Sequence, residues 1–203
     1  MKRVEWVLFD LGGVLLEVDQ ARIFTSLAQN SGLTPEVVKD ALLRAVPINS
    51  DFITKEYLPK QITKEVNEAL RTNLSESQVV ASINSELGQT ITSTADLLPK
   101  LRKRINIGCL SNTNSIHWDW LLSAYSFMNH FDRRFASQIV GHAKPGVKIY
   151  AEVVRHLGVA SHAILFFDDR EENVDAALKL GWQARLYRGH SDLMSGLTEF
   201  GLA

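Results

Sequence analysis

The sequence predicts an α/β protein: a Rossmann-like parallel sheet core with a helical bundle inserted after the first strand. Three observations predict it. Val4 to Phe9 is an almost unbroken apolar run, as in a strand covered on both faces. Residues 19 to about 94 carry helical periodicity with no convincing strand. From about residue 95 onward strand and helix patterns alternate, which implies parallel strands joined by crossover helices. The expected division is a core of residues 1–16 plus 95–203 and a helical cap over 17–94.

The first strand stops at Asp10, and Gly12-Gly13 follows, a pair that permits a sharp turn and a close backbone approach to a ligand. A lone carboxylate there sits where open α/β sheets place their ligands. That stretch alone leaves open a residue that merely caps a turn. Asp19 then caps a helix with an apolar face of Ile23, Phe24, Leu27 and Ala28, ending near Gly32. Thr34-Pro35-Glu36 starts the next helix, carried by Val37, Val38, Ala41, Leu42 and Ala45 and closed by Pro47. A third pattern holds Leu58, Ile62, Val66, Ala69 and Leu70, and Pro59 sets its start near Leu58. Ser75-x-x-Gln78 is a capping box before Val79, Val80, Ile83 and Leu87, with Gly88 as the stop.

The core follows. A short helix with Leu97, Leu98 and Leu101 leads into the strand Ile105 to Leu110. A helix with Trp118, Leu121, Leu122 and Tyr125 precedes a short strand near Phe135-Ala136-Ser137. Another helix holds Ile149, Tyr150, Val153, Val154 and Leu157, before the buried strand Ala163 to Phe167. The last pair is a helix through Val174, Ala177 and Leu178 and a strand from Trp182 to Tyr187.

Composition narrows the function. The 203 residues are 45% hydrophobic and 22% charged with a formal net charge of −1, so neither a nucleic-acid nor a membrane partner is expected. The basic run from Lys100 to Arg104 reads as a solvated helix end. The single Cys109 excludes an internal disulfide and reads as a buried structural thiol. No signal-peptide pattern and no apolar stretch of spanning length occurs, which makes the cytoplasm the default expectation.

Three later strands or loops end in polar residues: Ser111-Asn112, Lys144-Pro145 and Asp168-Asp169. In a parallel sheet these ends share one edge and converge on Asp10. Asp10, Asp168 and Asp169 repel one another unless neutralised, which a hard divalent cation such as Mg²⁺ does while keeping room for a substrate phosphate. Ser111 and the Asn112 amide suit phosphoryl oxygens. Lys144 suits a nucleophile and a transferring phosphate.

The ordered motifs Asp-Leu-Gly-Gly-Val, Leu-Ser-Asn, Lys-Pro and Phe-Asp-Asp resemble those of the haloacid dehalogenase-like (HAD) hydrolase superfamily over essentially the whole chain. The helical insertion resembles its C1-type cap. The first motif, with Asn112-Thr113-Asn114 and Phe166-Phe167-Asp168-Asp169, is similar to a sugar-phosphate phosphatase subgroup that includes α-glucose-1-phosphate phosphatase. The resemblance implies a Mg²⁺-dependent phosphomonoesterase acting on a small phosphorylated metabolite through an aspartyl-phosphate; a compact monomer is the default expectation, with a homodimer left open. Asp10 is then the nucleophile and a metal ligand, with the Gly12 carbonyl, Asp168 and Asp169 as further ligands. Asp169 is the direct ligand, and Asp168 a ligand or a supporting partner. Ser111, Asn112 and Gly13 hold the phosphate, Lys144 is the motif lysine, and Asn173 supports the metal loop.

One departure matters. Most phosphatases of the superfamily carry a second Asp two residues after the nucleophile, which protonates the leaving group and then activates water. Here that residue is Gly12. Glu17 and Asp19 are candidate substitutes, against plainer readings as a linker charge and a helix cap. His117 reads as a surface or cap-contact histidine, His142 as a cleft or loop residue, Trp118 and Trp120 as helix packing and Arg170 as solvated. Asp51 and Phe52, in Ser50-Asp51-Phe52, are candidate specificity residues of the cap. Two other functions stay open. A metal-independent 2-haloacid dehalogenase also lacks the second Asp, but does not need the Asp168-Asp169 pair. A catalytically weak phospho-ligand-binding domain rests on Gly12 alone.

Overall fold

In the computed structural model, which describes residues 3–45 and 53–203, β1 (Trp6–Phe9) is the central strand of a five-stranded parallel sheet. The order is β5 (Arg133–Ala136), β4 (Asn106–Ser111), β1, β6 (Ile164–Asp168), β7 (Gln183–Leu186). The chain leaves β1 toward β4 and β5, then crosses back to β6 and β7. The order therefore reverses at β1, and the crevice outside its carboxyl end is where such sheets bind ligands. Phe9, the last residue of β1, pairs with Cys109 on one side and Phe167 on the other.

Both faces of the sheet are covered, as the apolar run requires. Val7 and Phe9 point to one face, with Leu98 and Leu101 of α6 (Leu98–Leu101), Trp118 and Leu121 of α7 (Ser115–Ala124), and Leu193 and Leu197 of α11 (His190–Glu199). Leu8 points to the other, with Ile149, Tyr150 and Val153 of α9 (Val147–Leu157) and Val174 and Ala177 of α10 (Glu171–Lys179). Phe9 and Phe167 stack at 5.7 Å and are fully buried, each worth roughly 2–3 kcal/mol of apolar burial. This packing fixes the strand ends on which the site is built. Cys109 is buried in β4, and burial pushes its thiol up to about 12, so it is an inert packing residue.

Between β2 (Leu16–Val18) and β3 (Leu87–Thr90) come α1 (Ala21–Ser31), α2 (Pro35–Ala45), α3 (Pro59–Leu70) and α4 (Glu76–Asn84). Phe24, Leu27, Val38, Ile62, Val66, Val79 and Ile83 close a core of their own, which also takes in Ile116 of α7. The expected signals act here. Gly32 ends α1 in the left-handed conformation, Pro59 is the first residue of α3, and Ser75 and Gln78 form both arms of the capping box. Asp19 accepts from Ala21 N at 3.0 Å, one residue before the helix boundary. Pro47 and Ser50-Asp51-Phe52 lie outside the described residues.

Two expectations need correction. The helix beginning after Ser75 does not run to Leu87: it ends at Asn84, and Leu87–Thr90 is a strand antiparallel to β2. The pairing is bracketed by Asp19 N donating to Glu86 O at 2.9 Å and Ile91 N donating to Leu15 O at 2.8 Å. A partner some seventy positions earlier in the chain overrides the local helical pattern. Trp120 does not pack: its residue is 45% exposed, whereas Trp118 is buried. No helix among the described residues is long and apolar enough to cross a membrane.

Candidate active site

The carboxyl ends of β1, β4 and β6 meet at a cleft of about 350 Å³. Asp10, Gly12, Gly13, Ser111, Asn112, Lys144 and Asp169 all line it. Asp168 lies directly beneath and is completely buried. The loops after strands separated by up to about 150 residues of sequence thus deliver their polar ends to one place.

Lys144 is the hub. Its ammonium lies 3.0 Å from Asp10 Oδ1 and 2.6 Å from Asp168 Oδ2, and its side chain is 1% exposed. A buried cation between two buried carboxylates is favourable only with tight geometry and further hydrogen bonds. Asp168 has them: Oδ1 accepts from Arg170 N and from Asn173 Nδ2, each at 2.9 Å. Lys144 is itself held by Asn112, whose side chain donates to the Lys144 carbonyl and accepts from the Lys144 N–H, both at 2.8 Å. The Asn112 side chain is therefore committed to the lysine loop. Ser111 is largely buried, but its hydroxyl is bonded to none of the described residues and borders the cleft, so it is free for a ligand.

Asp10, Asp168 and Asp169 each offer an oxygen within 4.8 Å of the others. Burial pushes the Asp10 carboxyl up to about 6, against the pull of Lys144. Burial and the neighbouring Asp168 charge raise Asp169 as well. Such a cluster favours a bound cation. Asn173 adds a buried Oδ1 without a partner among the described residues. Gly13 has φ +71°, and an ideal Cβ on it would lie 2.2 Å from Asp169 Oδ2, so only glycine leaves room for that carboxylate. The Gly13 N–H donates to Leu16 O at 2.9 Å and serves the turn.

The remaining expected residues divide. Arg170 borders the cleft, yet it is exposed and pairs with Glu172 at 2.5 Å. His117 is a buried contact between core and helical bundle: Nε2 lies 3.0 Å from Ile83 O and Nδ1 3.1 Å from Asn114 Nδ2. Burial lowers its pKa, which favours the neutral ring. Glu17 and Asp19 are exposed and do not line the cleft. Two residues that do line it escape the motif reading: Val18, in β2, and Glu86, in the turn that leads into β3. Their one sequence signal is placement at the two ends of the helical insertion.

A parallel sheet that presents a lysine-paired carboxylate and an adjoining acidic pair at its switch point is an arrangement that suits a hydrolase. The chain belongs to the haloacid dehalogenase-like hydrolase family, whose model matches residues 4–181. It is 25% identical to a phosphatase of Mycobacterium tuberculosis over 89% of this chain and 85% of that one. It is 20% identical to a D-ribitol-5-phosphate phosphatase of Bacteroides thetaiotaomicron, over 95% and 96%. Among solved structures, a HAD family enzyme of Bacteroides thetaiotaomicron in complex with magnesium and inorganic phosphate superposes with a TM-score of 0.80 at 26% identity, covering 91% of this chain and 94% of that one.

Proposed function

We propose that the protein is a Mg²⁺-dependent phosphomonoesterase of small phosphorylated metabolites, sugar phosphates in particular, working through an aspartyl-phosphate. The observation that carries this reading is Lys144 bridging Asp10 and Asp168 at the base of a cleft that Asp169 also borders. The oxygen donor set and the unpartnered Asn173 Oδ1 fit a hard divalent cation. Asp10, Asp169 and the Gly12 carbonyl would hold Mg²⁺ directly, with Asp168, already committed to Lys144 and Asn173, behind them. When bound, Mg²⁺ neutralises the carboxylates and the phosphoryl oxygens.

The chain's own residues do the rest. Asp10 attacks phosphorus in line, and its second oxygen is steadied by the Leu11 N–H, which donates to Oδ1 at 2.7 Å. Lys144 offsets charge on the nucleophile and the transferring group. The Ser111 hydroxyl and main-chain N–H groups of its loop hold the phosphoryl oxygens. Residues 17–94 act as a cap over the core of 1–16 and 95–203, closing the side of the cleft where the leaving group lies.

The test is phosphate release from a panel of sugar phosphates and 4-nitrophenyl phosphate, with Mg²⁺ and with EDTA, for wild type and Asp10→Asn. Turnover that needs Mg²⁺ and disappears in the variant is expected. No release from any ester by the wild type overturns the reading and directs attention to haloacids and to phospho-ligand binding.

A further inference from the structure

Gly12 stands where a side chain would act as acid and base, and its space is taken. An ideal Cβ on Gly12 would lie 2.9 Å from Val18 Cγ2, so the β2–β3 ribbon fills the room beside the nucleophile. The turn that leads into this ribbon brings one further carboxyl to the cleft. We propose that Glu86, between α4 and β3, protonates the leaving oxygen and then activates the water that regenerates Asp10. This rests on the phosphatase reading above.

The other ionisable groups that line the cleft, and His117 beyond its lining, are already engaged. Asp10 is the nucleophile, Lys144 is locked between two carboxylates, and Asp169 faces the cation position. Arg170 is exposed and pairs with Glu172. His117 has both ring nitrogens committed to Ile83 and Asn114. Glu86 is different. Its side chain is 18% exposed, it borders the cleft, and none of the described residues hydrogen-bonds its carboxyl; His117 Nε2 is 3.6 Å away. Burial, and to a lesser degree the Asp19 charge, raises its pKa, the direction that suits a group exchanging protons with a leaving oxygen and a water.

Its position also suits the leaving group. Glu86 lines a second, small cavity of about 70 Å³ within the helical bundle, with Gln20 beside it and Ile23, Phe24 and Leu27 behind. It therefore borders both the phosphate cleft and a cavity on the side of the helical insertion, where we place the leaving group. In the first step the Asp10–P bond forms, the P–O bond to the organic group breaks, and the leaving oxygen takes the Glu86 proton. In the second, Glu86 carboxylate removes a proton from water as its oxygen bonds to phosphorus, and the P–O bond to Asp10 breaks. Phosphate leaves, and Asp10 and protonated Glu86 are restored.

The experiment compares wild type and Glu86→Gln on two esters with Mg²⁺ present: the alkyl phosphate that wild type turns over fastest, and 4-nitrophenyl phosphate, whose leaving group needs no proton. The expected result is a fall in kcat on the alkyl ester of roughly 10²–10³-fold. On the nitrophenyl ester a first-turnover burst of nitrophenolate is retained, followed by slow steady-state release as the phosphoenzyme waits for a base. Equal losses on both esters without a burst, or an unchanged alkyl kcat, overturn the proposal. A wild type that cleaves only the nitrophenyl ester overturns it too, whereas a wild type that cleaves neither ester overturns the phosphatase reading itself. If Glu86→Gln does not fold by circular dichroism, Glu86→Asp is read by the same ratio of the two esters.

Discussion

At the amino ends of β1 and β4 lies a cavity of about 820 Å³ bordered by Arg3, Arg102, Arg104, Asn106 and Phe200; at the carboxyl ends lies the cleft of about 350 Å³. In the larger one, charge is answered by its surroundings. Arg102 pairs with Asp132 at 2.9 Å, Arg104 donates to the carbonyls of Gly201, Leu202 and Ala203, and Asn106 donates to the Glu5 carbonyl. In the smaller one, three carboxylates crowd one lysine, a buried amide oxygen has no partner, and a serine hydroxyl is left free. Size does not mark the working end of the sheet. Unbalanced polar chemistry held rigidly by a packed core does.

Removing the hub breaks this contrast most severely. Lys144→Met leaves Asp10 and Asp168 buried and facing each other without a cation. We expect phosphatase activity to fall roughly 10³-fold or more, and metal-free stability to fall by about 3–5 kcal/mol in denaturant titrations. Gly13→Ala tests the room kept for Asp169. The added methyl meets that carboxylate on a backbone at φ +71°, so a loss of about 1–3 kcal/mol and a higher Mg²⁺ requirement are expected.

The crowding itself is visible in pH dependence. The Asp10 pKa is raised from 3.8 to about 6, so between these values the folded protein holds a proton that the unfolded chain has released. Stability from this group is present below the unfolded value and is lost as pH rises through about 6. Metal-free Asp10→Asn should therefore melt above wild type near pH 7, by roughly 1–3 kcal/mol, with the gap closing near pH 4; thermal melts in EDTA read it. The smallest effect belongs to the other end. Arg104→Ala breaks exposed bonds at the amino edge, and we expect less than about 1 kcal/mol and unchanged phosphate release.

Much of the cleft is legible in the sequence because it depends on strand ends. An apolar run that stops at Asp10, another at Ser111 and a third at Asp168 state their positions in a parallel sheet without any knowledge of neighbours. The helices of the insertion are legible for a similar reason, since Ser75 and Pro59 act within one turn. The ribbon is not. Leu87–Thr90 has four residues, follows a helix with a compatible apolar spacing, and exists because Leu16–Val18 lies beside it. Glu86 and Val18 gain their place in the cleft from that non-local pairing. The Asn112 side chain was legible as polar but not as the clamp on Lys144, because the clamp needs a backbone 32 residues away.

The ribbon has a consequence for how such a chain is altered over time. The insertion leaves and re-enters the core at paired positions, with Leu16 opposite Thr90. Whatever lies between starts and finishes at one doorway. Lengthening that segment changes the closure entropy only logarithmically and leaves the sheet's register untouched. The helices can then be exchanged, grown or trimmed to suit new esters while Asp10, Lys144 and the acidic pair keep their places. Val18 and Glu86, at the doorway itself, are the parts that any replacement must leave in position.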